Sequence, residues 1–195
     1  MDISKIVTFR QMKHGTREDY LLLDVEARNY ARGLPDSILA ALKNLDVGLQ
    51  GYPLSRLAHS LQCATRAKIA GADDEMVVAA LLHDIGDELA PYNHAELAAA
   101  ILRPYVRAEV SWIVAQHGLM QTYYYAHHEG RDRHMRERLR GHVWFDAAAA
   151  FCENWDQASF DPEFPTLPLS AFEPLVREIF SREPHDPNFV GQATQ

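Results

Sequence analysis

Histidine and aspartate residues interrupt apolar helical sequence at two places in this chain. The stretch VVAALLHDIGDELAPYNHAE, residues 77–96, places His83 and Asp84 directly after six apolar residues. The stretch SRLAHSLQCATRA, residues 55–67, places His59 between Leu57 and Leu61. Imidazole and carboxylate groups directed into a core are typical of metal sites. A single core histidine is more often an ordinary hydrogen-bonded residue. A metal site therefore requires that His59, His83 and Asp84 lie close together in space.

The two helices that carry these residues are expected to form an antiparallel hairpin. A short turn at residues 71–73 joins them. His59 lies about 12 residues before the turn, roughly 18 Å along a helix, and His83 lies about 10 residues after it, roughly 15 Å. The two imidazoles should therefore stand at nearly the same level of the hairpin. Asp84 splays by about 100° from its neighbour, so it can approach the same centre from another side.

Three further residues extend this candidate site. His94 begins the next predicted helix, His117 ends another, and Asp156 closes a long apolar one. Four histidines and two aspartates would suit two metal ions with one carboxylate bridging them, and such ligands fit iron, manganese or zinc. The predicted ligands are His59, His83, Asp84, His94, His117 and Asp156, with Asp84 as the bridge and catalytic centre.

Composition excludes several classes of function. The chain has 195 residues, a net charge of −8 and a hydrophobic fraction of 47%. It therefore lacks the basic character expected of a nucleic-acid or anionic-membrane binder. The N-terminal sequence has no apolar signal region, and no apolar run approaches the length of a membrane span. Two cysteines within helical patterns do not indicate a disulfide framework. These features predict a cytoplasmic protein.

The hydrophobic pattern has helical period almost throughout, and no useful length of sequence alternates with period two. We therefore predict a single all-α domain. Residues 1–54 would be helices that pack on the site or cover it, residues 55–161 the metal-binding core, and residues 162–195 a C-terminal helix with a loose tail from residue 184. The predicted helices span residues 18–32, 35–51, 55–71, 73–86, 93–106, 107–117, 142–158 and 170–181, with a short arginine-rich piece at 131–140.

The order H…HD…H…H…D resembles the HD-domain superfamily of metal-dependent enzymes, from about residue 55 to residue 161, and implies its helical bundle. Within it, SRLAHSLQCATRA, VVAALLHDIGDELAP and WDQASFDP are similar to the diiron oxygenases that cleave the carbon–phosphorus bond of 1-hydroxyphosphonates, relatives of myo-inositol oxygenase. The resemblance implies an Fe(II)/Fe(III) pair and dioxygen as co-substrate. It also implies a 1-hydroxy-2-(trimethylammonio)ethylphosphonate substrate, converted to glycine betaine and phosphate.

Substrate contacts are also expected from this resemblance. Relatives specific for a primary amine carry a tyrosine and a Gly-Glu pair just before the first ligand histidine, whereas this chain has LQGY at residues 49–52. An aromatic face suits a quaternary ammonium, which cannot donate a hydrogen bond. Asp87 would add negative charge for the cation, and Gln121, four residues after His117, would contact the phosphonate. The predicted substrate residues are Tyr52, Asp87, Gln121, Tyr30, His127 and Arg131, with Glu26, His128 and Arg133 as further candidates. Those in residues 26–30 and 127–133 are chosen from the sequence and not from the resemblance, and an ordinary surface helix or loop is the alternative for them.

Two other functions remain open from the sequence. A dinuclear HD-domain phosphohydrolase or phosphodiesterase would use the same ligands to attack phosphorus without dioxygen. The motif HHE at residues 127–129 is superficially similar to an element of cyclic-dinucleotide phosphodiesterases, although the accompanying Gly-Tyr-Pro is missing. A degenerate HD domain that acts as a sensor or scaffold is the second alternative. The sequence does not choose an oligomeric state.

Overall fold

The computed structural model describes residues 6–48 and 50–185. Within these ranges the regular elements are helices, and no strand occurs among them. This confirms the all-α, single-domain prediction. Most of the predicted loose tail, residues 186–195, lies outside the described residues. The α-helices are α1 Arg17–Ala31, α2 Leu34–Asn44, α3 Arg56–Ile69, α4 Asp74–Leu82, α5 His94–Leu102, α6 Ala108–Tyr125, α7 Phe145–Phe151 and α8 Glu173–Phe180.

Helix α4 forms the centre of the domain. All seven residues from Met76 to Leu82 are buried, so this helix is covered on every side. It packs against α3, α6 and α8. The Asp73 side chain accepts a hydrogen bond from the Met76 amide and caps the helix. A helix that is apolar all round belongs in a core, and α4 delivers the residues that follow it directly into the protein interior.

Helix α1 is positioned very differently. Thr16 and Asp19 form a capping box at its start, which the sequence reading did not identify. None of its 15 residues is buried. Tyr30, near its end, is 88% exposed. The helix therefore adds little to the core, and its stability rests mainly on its cap and local side-chain pairs. No described helix is both long and apolar enough to cross a membrane.

The predicted ends of four helices are wrong, those of α2, α4, α5 and α6; α5 ends at Leu102 instead of residue 106. Helix α4 ends at Leu82, so His83 caps the helix instead of lying inside it. Helix α6 continues through Gly118 to Tyr125 because Met120 and Thr122 are buried and hold the extra turns in place. Tertiary packing there outweighs the tendency of glycine to end a helix. The second helix stops at Asn44 and is followed by a 3₁₀ turn to Val47, short of the predicted residue 51.

The predicted helix over residues 142–158 is also irregular. Helix α7 covers only Phe145–Phe151, and Cys152–Asp156 continue as one π-helical turn. A π-turn adds one residue to each turn and so rotates the side chains that follow it. This rotation helps to turn the buried Asp156 towards the centre of the domain, and such turns occur frequently at functional sites.

Candidate metal centre

Four donor atoms converge at the end of the α3–α4 hairpin, and we call this group site A. The His59 and His83 Nε2 atoms lie 3.1 Å apart, so the two histidines do meet at one level. Asp156 Oδ1 lies 3.3 Å from His59 Nε2 and 3.5 Å from His83 Nε2. Asp84 Oδ2 lies 3.3 Å and 3.2 Å from the same two nitrogens. All four side chains are buried.

A second group, site B, lies on the other side of Asp84. The Nε2 atoms of His94 and His117 are 3.2 Å apart. Asp84 Oδ1 lies 3.4 Å from the first and 3.3 Å from the second. Asp84 thus presents one oxygen to each group, which is the arrangement of a carboxylate that bridges two cations. The structure brings all six predicted ligands together around this residue.

The ring orientations suit metal binding. The Nδ1 atoms of His59, His83 and His117 lie 2.9, 2.8 and 2.7 Å from the backbone carbonyls of Ser159, Ala80 and Val114. A carbonyl can only accept, so each Nδ1 carries the proton. In the neutral imidazole, each Nε2 then offers its lone pair to the centre of the group. Fixing the tautomer through the second nitrogen is the usual arrangement around metal-bound histidine.

The spacing of the donors also fits an ion. Ligand atoms about 2.1 Å from one cation stand about 3.0 Å apart at right angles and about 3.4 Å apart at tetrahedral angles. The separations in sites A and B run from 3.1 to 3.5 Å. Among the described residues, the groups able to hold a metal contain histidine and aspartate and no cysteine. The donor set therefore fits two metal ions with oxygen and nitrogen ligands.

Strong electrostatic coupling marks the same residues. Burial alone would lower the pKa of His83, but Asp84 and Asp156 outweigh burial and hold this pKa well above its ordinary value. Burial would raise the pKa of Asp84, yet the positive charges of His83 and Arg56 hold it well below its ordinary value. The carboxylates are therefore ionised, and a metal ion competes with protons for the histidine lone pairs.

Side chains of α3 fix the distant segment that carries Asp156. Besides the contact of His59 with Ser159, Gln62 Nε2 donates to the Asp161 carbonyl at 2.6 Å. One turn further, the Leu167 amide donates to Thr65 Oγ1 at 3.1 Å. The spacing of these three α3 residues places them on one face of the helix. That face thus positions the segment after the π-turn and holds Asp156 in site A.

A close backbone approach brings His94 to the centre. A Cβ atom added to Gly86 would lie 2.6 Å from the His94 carbonyl oxygen and 2.9 Å from its Cα. Only glycine leaves room for this contact. The turn that follows His83 and Asp84 therefore packs directly on the first residue of α5, and this packing sets the distance between Asp84 and His94.

Arg56 and Asp87 form a charged network beside the centre. Arg56 Nη2 donates to Asp84 Oδ2 at 2.5 Å, and its Nε donates to Asp87 Oδ2 at 2.6 Å. The Arg56 side chain is only 11% exposed. The other Asp87 oxygen, Oδ1, lies 3.2 Å from His94 Nδ1. Asp87 is therefore engaged by an arginine and a histidine and does not line the cavity described next.

A cavity of about 350 Å³ opens over the donors. One wall is a stack of rings: Tyr52 lies 5.0 Å from Phe160, and Phe160 lies 4.4 Å from His59, measured between ring centroids. Gln121 lines the cavity one helical turn after His117, where the sequence predicts it. The remaining lining includes Arg56, Gly118, Tyr124, Tyr125 and Gln157.

The other predicted substrate residues are not brought to this cavity. Tyr30 stands exposed on α1, and His127 and Arg131 are exposed after α6. Arg131 pairs with Glu129 and lies 5.6 Å from the ring centroid of Tyr125. For His127 and Arg131 the reason is the extension of α6 to Tyr125, which carries the residues after it past the cavity mouth. Glu26, His128 and Arg133 do not line the cavity either.

Sequence reasoning missed four residues of the lining that have a recognisable signal. Arg56 precedes His59 by three positions and therefore shares its helix face. Phe160 lies in the WDQASFDP motif, four residues after Asp156. Tyr124 and Tyr125 belong to the aromatic run of residues 123–125, which would have faced the site had α6 been extended past Gly118.

Comparison with known families supports the helical and metal-binding character of this region. No curated protein matches the chain closely enough to name a relative. Residues 56–143 match the family model described as the HD domain. The matched range holds five of the six donors, and Asp156 follows it. Residues 56–143 are thus similar to the HD domain, and with Asp156 they form a buried cluster of histidine and aspartate that could hold a dinuclear metal site.

Proposed function

We propose that this chain is a dioxygen-dependent diiron enzyme that cleaves the carbon–phosphorus bond of a 1-hydroxyphosphonate. The observation that carries the proposal is Asp84, which directs one oxygen to each of two nitrogen-rich groups beneath a cavity. The three motifs that resemble the carbon–phosphorus-cleaving oxygenases supply the reaction type. Bound iron would supply dioxygen activation and Lewis acidity, while the protein supplies binding, orientation and charge.

The cavity supports a substrate with a quaternary ammonium and a phosphonate. Tyr52, Tyr124, Tyr125 and Phe160 provide aromatic surface, and a trimethylammonium group is attracted to such faces without needing a hydrogen-bond acceptor. Arg56 brings the positive charge that the phosphonate dianion requires, since only two of its five N–H groups are used by Asp84 and Asp87. Gln121 adds an amide donor. We therefore propose 1-hydroxy-2-(trimethylammonio)ethylphosphonate as the substrate.

The proposed reaction balances with one dioxygen. The carbon–hydrogen and carbon–phosphorus bonds at C1 break, C1 is oxidised to the carboxylate of glycine betaine, and phosphorus leaves as phosphate. Dioxygen is reduced and supplies both added oxygen atoms, and one proton is released. In the cavity, Arg56 compensates the phosphonate charge and the aromatic residues exclude water from the reacting carbon.

A phosphohydrolase is the second candidate function, because Arg56 also suits a phosphoryl group and HD domains are typically metal-dependent hydrolases. Dioxygen separates the two. Iron-loaded protein is incubated with 1-hydroxy-2-(trimethylammonio)ethylphosphonate, with and without dioxygen, and phosphate and oxygen uptake are measured. We expect phosphate to be released only when dioxygen is present, with one dioxygen consumed for each phosphate released. Release without dioxygen would make the protein a hydrolase, and no release in either condition would refute the proposed substrate.

The cation-binding role of Tyr52 has its own test. Replacing Tyr52 with Leu removes the aromatic face but keeps an apolar side chain, so the apparent KM for the trimethylammonium substrate should rise by about 5- to 30-fold, the equivalent of a cation–π contact of about 1–2 kcal/mol. Tyr52→Phe retains the ring and should stay close to wild type. An unchanged KM in Tyr52→Leu would remove this residue from the substrate site.

A further inference from the structure

One of the four candidate ligand histidines has a partner of a different kind. His59, His83 and His117 direct Nδ1 to backbone carbonyls. The Nδ1 atom of His94 instead lies 3.2 Å from a carboxylate oxygen, Asp87 Oδ1, which is within ion-pair distance. An imidazole N–H is attracted more strongly to an ionised carboxylate than to a neutral carbonyl. Among the four candidate ligand histidines, His94 is therefore the one whose Nδ1 faces a charged side chain.

Asp87 is itself held firmly in place. Its Oδ2 accepts from Arg56 Nε at 2.6 Å, and its side chain is 15% exposed. Arg56 is in turn anchored on Asp84 at 2.5 Å. His94, which is 25% exposed, is the most accessible of the four histidines and begins α5. A rigid carboxylate thus supports the least buried ligand of the centre.

We propose that Asp87 is a positioning residue for site B, acting through His94. It fixes the imidazole so that Nε2 faces Asp84 and His117, and it strengthens Nε2 as a donor by accepting the Nδ1 proton. This role rests on the metal-binding part of the proposed function. Its consequence is an asymmetry between the ions: the affinity of site B depends on the Asp87 side chain, whereas the histidines of site A rely on backbone carbonyls.

Direct ligation by Asp87 is the competing role, since Asp84, Asp87 and His94 together could hold an ion. The contacts favour the positioning role. Asp87 meets His94 at Nδ1, whereas His94 meets Asp84 and His117 through Nε2, on the other side of the ring. The second Asp87 oxygen is occupied by Arg56. Asp87 therefore lies behind the ring of His94 as seen from site B.

Equilibrium titration of the 195-residue chain with Co²⁺ tests the proposal, and binding is followed by visible absorption and metal analysis without substrate. Asp87→Asn keeps the size of the side chain but removes its charge, and we expect a 10- to 100-fold weaker second metal equivalent with the first unchanged. Asp87→Glu retains the charge and should recover part of that affinity. Glu88→Gln is the matched control, because it removes one charge from an exposed neighbour and should bind both ions like wild type.

Each other outcome overturns the proposal. Wild-type binding of both ions by Asp87→Asn would show that Asp87 does not support site B. Equal loss of both ions would indicate a general structural role, which circular dichroism would detect as altered folding. Complete loss of the second ion in both Asp87→Asn and Asp87→Glu, as in His94→Ala, would make Asp87 a ligand. The titration uses neither dioxygen nor phosphonate, so its result stands apart from the test of the proposed oxygenase.

Discussion

Gly86→Ala should damage site B from outside the set of ligands. The added methyl would lie 2.6 Å from the His94 carbonyl oxygen, whereas an ordinary contact begins at 3.4 Å. The two backbones must therefore separate by about 0.8 Å, well beyond the tolerance of about 0.2 Å for metal–ligand distances. The φ angle of Gly86 is not positive, so the strain comes from lack of space and not from backbone conformation.

The expected effects on stability and metal binding follow from this overlap. Overpacking costs about 1–3 kcal/mol, offset by about 0.4–1 kcal/mol from the loss of chain entropy when glycine becomes alanine. The middle of these ranges gives a net cost of about 1.3 kcal/mol, so the melting temperature should fall by roughly 3–5 °C for a domain of this size. In a Co²⁺ titration, the second equivalent should weaken more than the first, since His94 belongs to site B.

Gly141→Ala is the matched control for this experiment. A Cβ at Gly141 would meet no atom within 4 Å, so melting and metal binding should remain those of the wild type. A Gly86→Ala protein with wild-type melting temperature and wild-type affinity for both ions would refute the argument. It would mean that the turn and α5 separate without cost and that their contact does not set the position of His94.

Three further predictions concern other parts of the molecule. Asp84→Asn should weaken both metal equivalents, whereas Asp156→Asn should weaken only one, and metal analysis after dialysis distinguishes them; equal effects would contradict the bridging role of Asp84. Burial raises the pKa of the Cys63 and Cys152 thiols well above the ordinary value, so neither should react with a thiol reagent in the folded protein at about pH 8, and rapid labelling would contradict this. Asp73→Ala should cost about 1 kcal/mol of unfolding free energy at neutral pH through loss of the α4 cap. The hydrogen bond with Arg107 lowers the pKa of Asp73 below 3.8, so its stabilisation is complete above that value and is lost as the pH falls through the lowered pKa; a cost that persists in acid would argue against it.

The geometry of the hairpin could be predicted from the sequence because helical rise is nearly constant. Counting residues from the turn placed His59 and His83 at one level, and their Nε2 atoms are 3.1 Å apart. The position of Asp156 in space could not be obtained in this way, because it follows a π-turn. A π-turn depends on tertiary contacts, and the hydrophobic pattern of the sequence does not predict it.

The substrate side of the site was harder to predict than the metal side. The predicted helix ends at residue 117 and assigns no element to residues 118–130, so the sequence does not fix where the side chains of this segment lie relative to the cavity. In the structure α6 continues, Tyr124 and Tyr125 reach the cavity, and His127 and Arg131 do not. Asp87 shows a second difficulty. The sequence predicts that its carboxylate contacts the substrate, whereas its partners in the structure are Arg56 and His94, which come from other elements.

The contacts between α3 and residues 159–167 determine when the centre can be completed during synthesis. His59 and Ser159 are 100 positions apart, and Gln62 and Asp161 are 99 apart. A ribosome-bound chain that has released only the HD-matched segment has His59, His83 and Asp84 but neither Asp156 nor the carbonyl that orients His59. Site B has all its donors by residue 117, so the nascent protein can assemble the two halves of its centre in a fixed order, site B before site A.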